Sequence, residues 1–326
     1  MSGINSHFNV LIKVLKLTKN PRLLFIKLKE RFLFNYFPKI ISNDFLYLKI
    51  YYRLRTGKNL NLKNPKTFNE KTQWLKLYDR KPEYLQMADK YHAIEFVSQR
   101  IENKYIIPLL GVWNCFDEIN FDSLPNQFVL KCTHDSGGVV ICRDKANSVF
   151  VDKTGAAIDI DDTREKLTRS LKRNYSIKAR EWAYKNENPK IIAQELIKTE
   201  NDELLMDYKV FTFNGKPKLI QAHIERSAYR RIANFYTTDW NFQDFSIEEL
   251  CDKNYHIEKP RHLDKMLELA EILAQNTYFL RVDFFYINDR IYFGEFAFYN
   301  HAGFGKFIPE SNGELLGSFI TLPLQV

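Results

Sequence analysis

Glycine is scarce in this chain, at 12 of 326 residues, while aromatic residues make up 15%. Long disordered tracts are not expected from such a composition. Cysteine is also sparse. Cys115, Cys132, Cys142 and Cys251 form no CxxC pair, which argues against a zinc site or a disulfide framework. No stretch approaches the ~18–20 uncharged apolar residues of a transmembrane helix. The opening "MSGINSHFNVLIKVLK" lacks the uninterrupted apolar core and small-residue cleavage site of a signal peptide. There is no internal repeat and no low-complexity segment. The expectation is a cytoplasmic protein with reduced thiols.

What is present is an ordinary globular balance of 45% apolar and 27% charged residues, long enough for two or three packed sub-domains. The net charge is +8, and much of it sits early. In "LIKVLKLTKNPRLLFIKLKERFLFNYFPK", Lys13, Lys16, Lys19, Arg22, Lys27, Lys29, Arg31 and Lys39 face one acid, Glu30. Apolar residues interleave with these cations. The stretch reads either as a peripheral anchor on an anionic inner membrane face, through residues 1–40, or as a helical extension with its lysines in water. No nucleic-acid motif accompanies the charge, so no nucleic-acid partner is expected.

The pattern along the chain is α+β. Residues 1–60 read as a basic helical extension, 61–125 as an α/β part, 126–192 as one sub-domain and 193–326 as another. "TFNEKTQWLKLYDR" starts a helix with capping-box spacing between Thr67 and Glu70. "ADKYHAIEFVSQRI" is a second helix, and "YIIPLLGVW" reads as a buried strand and loop. "DDTREKLTRSLKRNY" is a polar helix with Asp162 as its expected N-cap. "PKIIAQELI" reads as a buried strand. "MDYKVFTFNGKPKLIQAHIE" is a hairpin on Asn214-Gly215. "HLDKMLELAEILAQN" is amphipathic, with Leu263, Met266, Leu267, Ala270 and Leu273 facing inward. A last hairpin follows in "FLRVDFFYINDRIYFGEFAFYNHAGFGKF".

Four constellations could carry chemistry. In the last hairpin, a turn of Asn288-Asp289-Arg290 pairs Ile287 with Ile291 and sets Asp283 opposite Glu295. Adjacent carboxylates repel unless a cation or proton separates them. Magnesium fits, since it takes carboxylate and phosphate oxygens. A two-residue turn would instead set Asp283 opposite Gly294. In the middle hairpin, Asp207 and Lys209 share a face, suited to ribose hydroxyls and phosphate or simply to water. Upstream, Gln194 and Glu195 end a strand, where a backbone hinge can read an adenine edge. In "VLKCTHDSGGVVICRDK", Lys131 lies on a strand and needs an anion if it is buried. Ser136, Gly137 and Gly138 follow it, and the glycines let backbone N–H groups approach a phosphate. Arg226, Arg230 and Arg231 suit a carboxylate or phosphate substrate, or form a solvated basic loop.

Taken in order, these pieces resemble the ATP-grasp ligases, and more narrowly the TupA-like ATP-grasp family. The matching stretches include "KTFNEKTQWLKLYDR", "ADKYHAIEFV", "IIPLLGVW", "QFVLKCTHDSGG", "REWAYKNENPKIIAQE", "DYKVFTFNGKPKLIQ", "NFYTTDWN", "RVDFFYINDRIYFGE" and "GFGKF". The resemblance implies an ATP-grasp fold, with two α+β sub-domains gripping ATP. It implies a carboxylate–amine ligase that works through an acyl phosphate. It also implies a setting in surface-polysaccharide modification, with a uronic-acid-containing saccharide and an amine as substrates. By this resemblance Lys131 holds ATP phosphates, Ser136, Gly137 and Gly138 close over them, and Gln194 and Glu195 meet the adenine. Asp207 takes the ribose and Lys209 the phosphates. Lys90 resembles the early lysine of some ATP-grasp enzymes. Asp283 and Glu295 hold Mg2+. Arg281 steadies the acyl phosphate, and Arg226 joins it as a catalytic residue while sharing the acceptor with Arg230 and Arg231.

Two departures stand out. Ala297 occupies a position where ATP-grasp ligases carry a metal-binding asparagine and the TupA-like pattern tends to show threonine; either Asn300 or His301 replaces it, or Glu295 and phosphates hold the second metal. Asp135 puts a negative charge inside the expected phosphate loop. Two competing functions have thin support: a glycosyltransferase, from the DxD at Asp159-Ile160-Asp161, and a binding or scaffold protein, from Ala297.

Overall fold

The computed structural model describes residues 37–197, 206–226 and 231–323. Its contacts group the chain into two compact units, Met1–Asn59 and Leu60–Val326. In the first unit, α1 spans Phe37–Ile40 and α2 spans Asp44–Thr56. The Asn43 side chain accepts the Leu46 N–H to start α2, and Gly57 ends it in the left-handed region at φ 77°. Residues 1–36, which hold most of the basic stretch, lie outside the described residues, as does Arg230.

Among the described residues, the second unit holds two six-stranded sheets. The first runs in the order β1 (Leu109–Trp113), β6 (Ile191–Glu195), β2 (Phe128–Cys132), β3 (Val139–Asp144), β4 (Val149–Asp152), β5 (Ala157–Ile158). The second runs β10 (Phe242–Gln243), β9 (Arg231–Thr237), β8 (Lys216–Arg226), β7 (Met206–Phe213), β12 (Phe279–Ile287), β13 (Arg290–Ala297). A small pair joins β11 (Ser246–Ile247) to β14 (Phe307–Ile308). The helices are α3 (Phe68–Tyr78), α4 (Glu83–Ala88), α5 (Lys90–Ser98), α6 (Ile160–Leu171), α7 (Leu263–Leu273) and α8 (Asn312–Ser318).

Local sequence explains most of these elements. Thr67 and Glu70 form the expected capping box at the start of α3. Asp89 accepts the N–H groups of Tyr91 and His92, so the second helix begins at Lys90. The cap of α6 is Asp159, not Asp162: the Asp159 carboxylate accepts the Asp162 N–H at 2.7 Å. On α7, Leu269 is buried and Leu267 only half-buried, so Leu269 takes the inward place expected of Leu267. β1 is half-exposed at the sheet edge rather than buried, because β6 covers only one of its sides.

Each sheet has its own apolar packing. Phe128, Leu130, Cys132, Cys142, Phe150 and Leu167 belong to the core of the first. All four cysteines are free, and burial pushes the thiols of Cys132 and Cys142 up to about 12 and about 11. Beneath the second sheet, Phe68 packs edge-on against Phe279 at 4.8 Å and contacts Phe213 and Phe307.

The last hairpin reaches its expected pairing by an unexpected route. Ile287 pairs with Arg290, so the turn has two residues, Asn288 and Asp289, both at positive φ. A bulge then absorbs Gly294 opposite the Asp283–Phe284 step, and Asp283 still pairs with Glu295. A Cβ on Gly294 would stand 3.0 Å from the Asp283 carbonyl oxygen, which favours glycine there.

Candidate active site

A cleft of about 280 Å³ is lined by β12 and β13 of the second sheet, by the loop after β2 and by α4 and α5. On the side of the first sheet, Lys131 projects from β2 and donates to the Gln194 Oε1 on neighbouring β6 at 3.0 Å. A neutral amide is a poor counterion. Burial lowers the Lys131 pKa to about 8, with Lys90 pushing the same way and Glu295 opposing. Lys90, the first residue of α5, donates to the Asp135 carbonyl at 2.6 Å and lies 3.6 Å from Glu295. Gln194 is committed in both directions, since its Nε2 donates to the Ile107 carbonyl at 3.3 Å. Glu195, one residue on, is exposed.

The loop after β2 is built around Asp135. Its side chain is buried, not offered to the cleft as a free charge. One carboxylate oxygen accepts the Gly138 N–H at 2.9 Å, the other accepts the Ser170 hydroxyl on α6, and Arg173 stands 3.7 Å away. Burial alone would raise the Asp135 pKa. The Ser170 hydroxyl and the Gly138 N–H outweigh it and hold the carboxyl below its ordinary value. The acid that seemed to oppose a phosphate loop is therefore the loop's internal brace. Gly138 packs so tightly that a Cβ would come 2.5 Å from Ser170 Oγ and 2.7 Å from Cys132 Sγ. Ser136 remains exposed at the tip, with Gly137 half-buried beside it.

On the side of the second sheet, charges are fully matched. Asp283 on β12 sits opposite Lys209 on β7, and Lys209 Nζ reaches both Asp283 at 3.1 Å and Asp207 at 2.9 Å. Arg281 grips Asp283 with two parallel N–H···O bonds of 2.7 Å. Its remaining Nη1 donates to Asn300 Oδ1 at 2.7 Å. Burial alone would lower the Arg281 pKa, but the Asp283 carboxylate beside it raises it. Asp207, Lys209 and Asp283 are all buried.

The structure thus brings Lys90, Lys131, Gln194, Arg281, Asp283 and Glu295 to one region from separate elements. Arg226 and Arg231 face each other across the β8–β9 register, and their side chains lie outside the described part. Among the described residues, no group of three or more His, Cys, Asp or Glu side chains is arranged to hold a metal ion. Asn300, a candidate replacement ligand for Ala297, spends its Oδ1 on Arg281, while its buried Nδ2 has no partner among the described residues. Asp159 of the DxD is a helix cap, which accounts for it without a nucleotide sugar. No described helix is long and apolar enough to cross a membrane.

One pair in this region escaped the sequence reading. Glu181 lines the cleft, and Lys76 on α3 is fully buried behind it. Burial raises the Glu181 pKa and lowers that of Lys76, each offset in part by the other's charge. Nothing local marks either residue, because α3 and the segment before β6 meet only in the folded chain.

An α+β chain with one lysine-bearing sheet and one acid- and arginine-bearing sheet fits the ATP-grasp class. The TupA-like ATPgrasp family model matches residues 70–321, and the chain belongs to that family. No curated protein matches the sequence. Among solved structures, D-alanine–D-alanine ligase from Bacillus anthracis complexed with ATP is 15% identical, with a TM-score of 0.36. That match covers 70% of this chain and 56% of the ligase. D-Ala-D-Ala ligase from Helicobacter pylori is 13% identical at TM-score 0.43, covering 78% of this chain and 69% of that one. N5-carboxyaminoimidazole synthetase from Staphylococcus aureus complexed with ADP is 13% identical at TM-score 0.40, covering 79% and 60%. The chain therefore spans little more than half the length of the first of these structures.

Proposed function

We propose that this protein is an ATP-dependent carboxylate–amine ligase, joining a uronic acid of a surface saccharide or its precursor to an amine. The observation that carries the reading is a cleft lined by Lys90, Arg281 and Glu295, with Lys131 within reach of the charges of Lys90 and Glu295 and Asp283 gripped by Arg281, in a chain of the TupA-like ATPgrasp family. Lys131, short of a counterion, neutralises ATP phosphates together with Lys90. Ser136, Gly137 and Gly138 close over them on a loop braced by Asp135. Gln194 and Glu195 meet the adenine, and Asp207 and Lys209 the ribose and phosphates.

The donor set suits one magnesium ion held largely by its substrate. Asp283 and Glu295 are opposed in register but have no third acid beside them, and Ala297 brings no donor atom. Mg2+ commonly takes one or two carboxylates and completes its shell with phosphate oxygens and water. When bound, the ion would neutralise charge on the transferring phosphoryl group. Asp283 would turn an oxygen from Lys209 toward it, and Arg281 would hold the rest of the carboxylate in place.

In the reaction, a carboxylate oxygen of the acceptor attacks the terminal phosphorus of ATP and ADP leaves. The amine nitrogen then attacks the acyl carbon, phosphate leaves and a proton is lost from nitrogen. Arg281 steadies the acyl phosphate, and Arg226, Arg230 and Arg231 draw in the acceptor carboxylate. The test supplies ATP, magnesium, glucuronic or galacturonic acid and a panel of amines. The expected outcome is ADP and an amide product, only with both substrates present. No ATP binding by the purified chain, or binding unchanged by Asp283→Asn, would count against the reading.

A further inference from the structure

This inference rests on the ligase reading and concerns its second substrate. We propose that Glu181, beside the rings of Tyr175 and Tyr184, is the docking site for the ammonium group of a cationic amine substrate.

The cleft is lined by three carboxylates, Asp135, Glu181 and Glu295. Asp135 is consumed by Ser170 and the Gly138 N–H, and Glu295 lies 3.6 Å from Lys90. Glu181 is different. It is 7% exposed, yet among the described residues its carboxylate oxygens make no hydrogen bond or salt bridge. The charges of Lys76 and Lys178 both reach it, and Lys76 has no donor to spare. Lys76 Nζ has three donors, and they go to Gln73 Oε1 at 3.0 Å, the Ala179 carbonyl at 2.8 Å and the Ala302 carbonyl at 2.7 Å. Glu181 thus feels the field of Lys76 but receives no proton from it. A carboxylate largely withdrawn from water gains from hydrogen-bond donors, and an ammonium group brings three.

The surroundings suit such a guest. The rings of Tyr175 and Tyr184 meet nearly at right angles, 5.6 Å apart between centroids, and both line the cleft. Aromatic faces attract cations. Arg281 and Lys90, the groups assigned to phosphate chemistry, line the same cleft. The ammonium first gives one proton to Glu181, which frees the nitrogen lone pair; the amine then attacks the acyl carbon, the bond from that carbon to the phosphate oxygen breaks, and the second proton leaves with the phosphate. Burial, which raises the Glu181 pKa, makes it a better proton acceptor than an exposed glutamate.

The test titrates ethylammonium chloride into the full-length protein, followed by ligand-observed NMR, for wild type, Glu181→Gln and Lys76→Met. Saturable binding to wild type is expected, at least about tenfold weaker in Glu181→Gln and retained in Lys76→Met. No binding to wild type, equal binding to Glu181→Gln, or equal loss in both variants would overturn the site, the last by making Glu181 only the partner of Lys76. If Glu181→Gln does not fold, Glu181→Asp decides. Weakened ethylammonium binding at an unchanged melting temperature supports the site, and unchanged binding overturns it. The ligase reading fails separately. Glu181-dependent ethylammonium binding by a chain that forms no ADP would sink the reaction and leave the cation site. ADP formation indifferent to Glu181→Gln with every amine tried would sink the site and leave the reaction.

Discussion

The two sheets handle buried charge in opposite ways. In the second sheet, Asp207, Lys209, Asp283 and Arg281 form a closed set of two acids and two cations, bonded to one another at 2.7–3.1 Å. In the first, Lys131 bonds a neutral amide, and Glu295 only partly offsets the burial that lowers its pKa. The difference separates two jobs. A balanced network holds its members in place and keeps its geometry before any ligand arrives. An under-compensated cation stores unfavourable desolvation that an incoming anion relieves, so affinity and instability come from the same atom.

The sharpest way to break this contrast is to cut the balanced network. Asp283→Asn leaves Arg281 and Lys209 facing each other with too little negative charge. It should cost about 3–5 kcal/mol of stability, the usual result of removing one partner from a buried set, read as a lower urea midpoint. Gly138→Ala attacks the other sheet through sterics, forcing a methyl group against Ser170 and Cys132. It should cost about 1–3 kcal/mol and move the loop, seen as lost stability together with weaker ATP binding.

Lys131→Met tests the opposite sign. Removing an under-compensated charge should leave the urea midpoint unchanged or higher, while ATP affinity falls about tenfold, or ~1.4 kcal/mol, by calorimetry. A drop in both stability and affinity would mean that Lys131 holds the fold together as well as the nucleotide. The smallest effect is a proton count. An unfolded lysine keeps its proton to about pH 10.4, whereas folded Lys131 releases it near about 8. Between those values the unfolded chain binds more protons, so the burial penalty at Lys131 fades and its contribution to stability rises with pH. A bound phosphate pulls the pKa back up. Nucleotide binding near pH ~9 should therefore take up a fraction of a proton that is absent near pH ~6.5, measurable in buffers of different ionisation enthalpy.

Local signals carried much of the architecture. Asn214-Gly215 marked one hairpin, and the capping box at Thr67 marked a helix start, because both depend on residues within a few positions. The Asp283–Glu295 opposition was anticipated with a three-residue turn. The chain achieves it with a two-residue turn and a bulge at Gly294, two irregularities that cancel. The role of Asp135 is not legible locally, because its partner Ser170 lies thirty-five positions away on another element.

By itself, the sequence determined the class of elements, the hairpin positions and the family, since each rests on short-range chemistry or on motifs kept in order. The tertiary structure alone decided which charges meet. Whether a lysine is balanced, as Lys209 is, or left wanting, as Lys131 is, depends on what stands across a strand or a cleft. Whether Glu181 is solvated or confined beside Tyr184 depends on where α3 and the segment before β6 come to rest. Electrostatic energy is set by distance and burial in space, and neither is written in the order of residues along a chain.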